Sequence, residues 1–211
     1  MIFSLLTNPA TGWERVREAQ LGIKECYGKY VVPLALVAPV AAFIGTTQVG
    51  WKVGQQDAVK LTVDSALQIS VATFFAMLAV VFVMAKTIHW MANTYDSSQS
   101  LASCFSLAAF TATPLFLIGI TLLYPMPWFI YLVGLPALGY AVLLLYTGVP
   151  IMMDINKEKG FLFASAILAL GLVSLVGLLA VTVSLWGFGL GPSFLTLLET
   201  PPGVGAALIS S

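Results

Sequence analysis

Lys86, His89 and Asn93 stand three and four residues apart, the spacing that puts side chains on one face of a helix. A cation, an imidazole and a carboxamide so placed could relay a proton or meet a polar solute. The same face also suits a helix running out of an apolar layer, with Lys86 reaching for the headgroups and Trp90 at their level. Thr46-Thr47-Gln48, just ahead of Gly50-Trp51, reads either as the polar mouth of a solute path or as a helix end whose threonines bond back to the preceding turn. The densest polar run is Asp154-Ile155-Asn156-Lys157-Glu158-Lys159-Gly160. Its alternating Asp, Asn and Glu echo the start of a calcium loop. The glycine falls one place late, however, and the twelfth position is Ser165 rather than Glu, so calcium is rejected. The run reads instead as a connector able to touch a partner or anionic headgroups.

No catalytic set accompanies these clusters. The chain has a single His and carries no Gly-x-Ser-x-Gly, His-Glu-x-x-His, phosphate-binding-loop or Cys-x-x-Cys pattern, so no nucleophile–base pair, cofactor loop or metal set emerges. Cys26 and Cys104 are expected as free thiols. Nine Lys+Arg against nine Asp+Glu leave no net charge and hence no field for nucleic acid.

The elements that position these clusters follow from where charge is missing. Charged residues are 9% of the 211 and apolar residues 59%, too little charge to cover a soluble domain, for which roughly 25% is usual. Residues 30–51, 65–85, 97–153 and 160–198 carry none. A helix needs about 20 apolar residues to cross a bilayer core. The third gap is long enough for two crossings, near 101–123 and 128–150, separated by Tyr124-Pro125-Met126-Pro127-Trp128. The pattern therefore predicts an all-α polytopic bundle of five transmembrane helices over 31–186. The runs are continuously apolar, unlike barrel strands. Seven Lys/Arg (Arg15, Arg17, Lys24, Lys29, Lys86, Lys157, Lys159) fall on one side against two (Lys52, Lys60) on the other. That bias places the N-terminus in the cytoplasm and the C-terminus outside. No cleavable signal peptide is expected.

Residues 11–30, within a cytoplasmic segment 1–30, predict an interfacial amphipathic helix. Thr11 and Glu14 would form its capping box, and Trp13, Val16, Ile23, Tyr27 and Tyr30 its apolar stripe. A Gly/Pro-rich tail is expected over 187–211. Small residues recur at helical spacing at Ala41 and Gly45, along Ser65, Gln68, Ala72, Ala76 and Ala79, and along Gly171, Ser174, Gly177 and Ala180. Such faces join helices or protomers in lipid. Pro33, Pro39, Pro114 and Pro136 predict kinks.

Three segments carry a resemblance. Ala42-Phe43-Ile44-Gly45-Thr46-Thr47-Gln48-Val49-Gly50-Trp51, Thr113-Pro114-Leu115-Phe116-Leu117 and Asp154–Gly160 resemble the bacterial, YohC-like inner-membrane branch of the Yip domain family. The resemblance covers roughly residues 1–190 and implies five spans with a cytoplasmic N-terminus. Eukaryotic members bind Rab GTPases and one another. Their Asp-Leu-Tyr-Gly-Pro motif is echoed here only by Tyr30-Val31-Val32-Pro33 and their long N-terminal domain is missing, so Rab binding is not carried over.

The expected function is a non-enzymatic inner-membrane protein, without cofactor, whose partners are the bilayer and a second copy or another membrane protein. A small-solute or ion carrier and a lipid-handling protein are the alternatives. The lack of any charge deep in a span counts against ion-coupled transport.

Overall fold

Backbone amides in hydrocarbon must find partners within their own segment, and every regular element among the described residues is helical. The computed structural model describes residues 1–50, 60–95 and 97–187. Trp51, Lys52, Asp96 and the expected tail beyond Gly187 lie outside them. The helices are α1 (Ile2–Thr7), α2 (Pro9–Ala19), α3 (Ile23–Val49), α4 (Val63–Tyr95), α5 (Leu101–Thr111), α6 (Thr113–Leu123), α7 (Pro127–Met153) and α8 (Lys157–Gly187). α3, α4 and α7 are long and apolar enough to cross a membrane. α5 and α6, bent by 42° at a short break, make a fourth crossing when taken together.

The N-terminal segment departs from the single helix expected over 11–30. The first helical stretch of that region starts at Pro9, after extended Asn8, and Thr11 Oγ1 donates to the Asn8 carbonyl at 3.2 Å instead of capping. Pro9 suits this start because a first-turn residue needs no amide partner. The stretch stops at Gln20, which adopts a left-handed conformation (φ 41°), and Gly22 precedes a new start. Ile23, Tyr27 and Tyr30 thus belong to α3, the first helix long and apolar enough to cross a membrane, which begins at Ile23 rather than 31.

α1 and α2 do not lie across the end of the bundle. They run along the flank of α7, in the same order on both. The Tyr140 hydroxyl donates to the carbonyls of Leu5 (3.1 Å) and Leu6 (3.0 Å), Trp13 packs on Gly148, and Arg17 pairs with Asp154. From Tyr140 to Asp154 is about 21 Å of helix. Trp13 is fully buried, and a Cβ at Gly148 would stand 2.5 Å from its ring. Glycine at 148 is therefore the condition for the indole to reach the helix surface.

α5 is the centre of the bundle. Cys104, Phe105, Ser106, Leu107, Ala109 and Phe110 are all buried, between α3, α4 and α7. The rings of Tyr27 and Tyr30 on α3 pack on Phe105 and Phe110 (centroids 4.7 and 5.1 Å), and the Tyr27 hydroxyl donates to the Leu78 carbonyl of α4 at 2.7 Å. α3 and α6 approach through small residues. A Cβ at Gly45 would collide with the Leu122 carbonyl, and one at Gly119 with Ala38.

The prolines act unevenly. The 42° bend falls just ahead of Pro114. The wide π turn Tyr27–Val31 precedes Pro33, which has no amide hydrogen for the Lys29 carbonyl. Pro39 and Pro136 sit inside helices that continue through them. The connector expected over 154–160 is shorter than its polar run: only Asp154–Asn156 lies between helices. Lys157, Glu158, Lys159 and Gly160 open α8, where Asn156 Oδ1 accepts from the Lys159 amide at 2.8 Å.

Trp13→Ala is expected to cost about 3–5 kcal/mol, and Gly148→Leu a comparable amount by displacing the same ring. Because both remove one contact, the double variant should cost clearly less than the two together. Thermal unfolding of the purified protein in detergent measures this cycle, and additive losses would show that the two residues act separately.

Candidate functional site

One end of the bundle gathers the polar chemistry. It is formed by α2, the start of α3, the end of α4, the start of α5, the end of α7 and the start of α8. The Ser97 hydroxyl donates to the Met153 carbonyl at 2.9 Å, and Tyr95 stacks on Phe163 (4.6 Å, 9°). These two contacts tie the α4–α5 connection to α7 and α8. Arg15, Arg17, Lys24, Lys29, Lys86, Lys157 and Lys159 all sit on elements of this end, while Lys60 lies at the other.

A cavity of about 470 Å³ opens here between α2 and the start of α5. Its polar lining is Arg17, Gln20, Gln99, Ser100, Ser103 and Ser106, and Val16, Leu21 and Met152 contribute apolar wall. Local structure sets each of these. The left-handed turn at Gln20 directs the chain away from α2 at the rim. Ser100 is the N-cap of α5, accepting from the Ser103 amide at 3.2 Å, and its hydroxyl meets that of Ser103 at 3.1 Å. Ser106, one turn deeper, is 2% exposed. Arg17 Nη2 donates to Asp154 Oδ1 at 2.9 Å, with both side chains about half exposed (50% and 62%). Asp154 is the left-handed residue (φ 55°) that ends α7.

The Yip1 domain matches residues 3–178 of this sequence. The chain belongs to the Yip1 domain family. Its relatives include the "Inner membrane protein YohC" of Escherichia coli strain K12 and the protein of the same name in Escherichia coli O6:H1. Each is 42% identical over 188 residues, which is 89% of this chain and 96% of the relative. No solved structure matches. The region matched to the Yip1 domain contains every residue of the cavity and ends within α8.

Within this Yip1 domain the expected site residues separate into three places. Thr46, Thr47 and Gln48 lie at the end of α3 opposite the cavity. Thr46 Oγ1 donates to the Ala42 carbonyl (2.8 Å) and Thr47 Oγ1 to that of Phe43 (2.7 Å), while Gln48 is exposed. Lys86, His89 and Asn93 share one exposed face of α4. His89 Nδ1 stands 3.9 Å from Cys104 Sγ, and Lys86 Nζ lies over the Phe82 ring at 5.4 Å. From Val63 to Lys86 is about 35 Å of helix, so the first two clusters do not converge. Asp154, Asn156, Lys157 and Glu158 are exposed at the cavity's end of the bundle, and of these Asp154 joins the cavity's arginine. No group of three His, Cys, Asp or Glu suited to a metal forms among the described residues.

Sequence reasoning missed Arg17, Gln20, Gln99, Ser100, Ser103 and Ser106 as a set. The signal present was the uncharged polar run Ser97-Ser98-Gln99-Ser100 with Ser103 and Ser106 following at one-turn spacing.

Exposed ion pairs contribute about 0–1 kcal/mol. Arg17→Gln and Asp154→Asn are therefore each expected to shift stability by less than about 1 kcal/mol. A chemical or thermal unfolding series reads this, and a loss several times larger would assign the pair a structural role.

Proposed function

We propose that this chain is a five-span, non-enzymatic inner-membrane protein that organises its membrane by self-association through the helix bundle. In this reading residues 1–22 are the segment at the cytoplasmic side, 23–186 the bundle, α8 the fifth span, and 187–211 a periplasmic tail. The carrying observation is where the small-residue faces lie. The Ala41–Gly45 face is consumed inside the chain against α6. Gln68, Ala72, Ala76 and Ala79 of α4 face outward, as do Ser174, Gly177 and Ala180 of α8. A Cβ at Gly177 meets no described atom within 4 Å, and one at Gly171 meets only Met84 at 3.9 Å. Small residues that leave a face open to close approach are the usual means of helix association in lipid, and here the fitting partner is a second copy.

The relatives named as inner-membrane proteins support the location. The gathering of seven Lys/Arg at one end supports a cytoplasmic N-terminus. A solute path has less support, because the Thr46-Thr47-Gln48 and Lys86/His89/Asn93 clusters lie at opposite ends.

Gly177→Leu is expected to abolish a cross-linked dimer, captured in native membranes through a cysteine at Val173, without lowering the unfolding temperature. A wild-type protein that stays monomeric under the same cross-linking overturns self-association. For orientation, a reporter active only in the cytoplasm should be silent when fused after Ser211. A signal from that fusion would reverse the topology.

A further inference from the structure

The cavity at the charged end has a lining whose chemistry is one-sided. Among the described residues it carries one permanent cation, Arg17, and no carboxylate, with two carboxamides (Gln20, Gln99) and three hydroxyls (Ser100, Ser103, Ser106). The described lining is thus formally positive, and its remaining polar groups both donate and accept hydrogen bonds. A guanidinium offers five N–H donors in a planar fork that matches phosphate oxygens. Asp154 engages Nη2 alone at 2.9 Å, from outside the lining, which leaves the rest of the fork available. Ser106 is 2% exposed in an otherwise largely apolar depth. A hydroxyl has one donor and two acceptor sites, so Ser106 brings both kinds of hydrogen-bonding site to that depth. The volume, about 470 Å³, falls within the usual range of small-molecule sites, roughly 300–1,000 Å³.

We infer that this cavity binds a phosphate ester of a short hydroxylated alcohol: the phosphate on Arg17, the alcohol hydroxyls among Gln20, Gln99 and the serines. Two sources present that chemistry, an anionic phospholipid headgroup and a free phosphate ester. The apolar Val16, Leu21 and Met152 in the lining suit the first. This site does not depend on self-association, and a monomer would carry it whole.

The test uses the full chain purified in a neutral maltoside detergent, with the shift in unfolding temperature read during titration. The probes are short-chain phosphatidylglycerol, short-chain phosphatidylcholine, glycerol 3-phosphate and inorganic phosphate. Phosphatidylglycerol is expected to stabilise the protein, and Arg17→Gln to weaken its apparent affinity tenfold or more. Asp154→Asn separates the cation from its ion pair: it should bind at least as tightly as the wild type. Stabilisation by glycerol 3-phosphate matching that by the lipid assigns the soluble source, and stabilisation by the lipid alone assigns the headgroup. No shift with any phosphate probe overturns the inference. So does an equal response to phosphatidylcholine, an unchanged response in Arg17→Gln, or a loss in Asp154→Asn as large as in Arg17→Gln.

Discussion

Trp13 reaches the surface of α7 only because position 148 has no side chain, and the charged end of the molecule is arranged around that contact. α2 carries Glu14, Arg15 and Glu18 exposed, so it cannot sink deep into hydrocarbon. Its apolar edge is narrow, essentially Trp13 and Val16, both buried. A helix with so little to bury needs one deep anchor, and the indole supplies it. The anchor has a cost: Trp13 Nε1 has no hydrogen-bond partner, a penalty of about 1–3 kcal/mol for a buried donor. Burial of the ring must exceed that. With Trp13 fixed, Arg17 one turn on falls level with the end of α7, where Asp154 stands, and Gln20 with Leu21 falls at the mouth of the cavity.

The bundle beneath is held by a different force. Between lipid-facing helices there is no hydrophobic gain on association, because lipid tails are as apolar as leucine. What remains is close contact. α3 and α6 achieve it by missing side chains, Gly45 against Leu122 and Gly119 against Ala38. α5 achieves it by surrounding itself, with aromatic rings from α3 on one side and α7 on another. The outward small-residue faces of α4 and α8 are the same device without a partner among the described residues. That contrast, one such face consumed and two open among the described residues, is not visible in the residue pattern, since all three faces look alike in sequence.

Much of the helical layout was legible because charge cannot be hidden in hydrocarbon: the four uncharged gaps fall on α3, α4, the α5–α7 stretch and α8. The bend before Pro114 was legible from proline's missing amide. The breaks at Asn8 and Gln20 were not, since a left-handed glutamine carries no glycine to announce it, and the stripe from Trp13 to Tyr30 continues across the stop at helical spacing. The cavity was hidden for a related reason. Scanning by charge found Asp154 and Lys86 but passed over Gln99, Ser100, Ser103 and Ser106, which are polar without being charged. Arg17 and Asp154 lie 137 residues apart, and nothing local to either names the other.

Arg17 therefore stands between two demands, and their relative strength decides what the site can do. Its pair with Asp154 is half exposed, so water and salt weaken it. A buried pair would have locked the guanidinium and lost its affinity for anything else, because removing either partner would strand a charge. A loose pair keeps the side chain oriented over the cavity while leaving most of its donors unspent. The left-handed turn at Asp154 contributes to this looseness, since it holds the carboxylate out at the helix end instead of folding it into the lining. Whatever neutralises Arg17 from the cavity side does so next to the residue that docks α2 on α7.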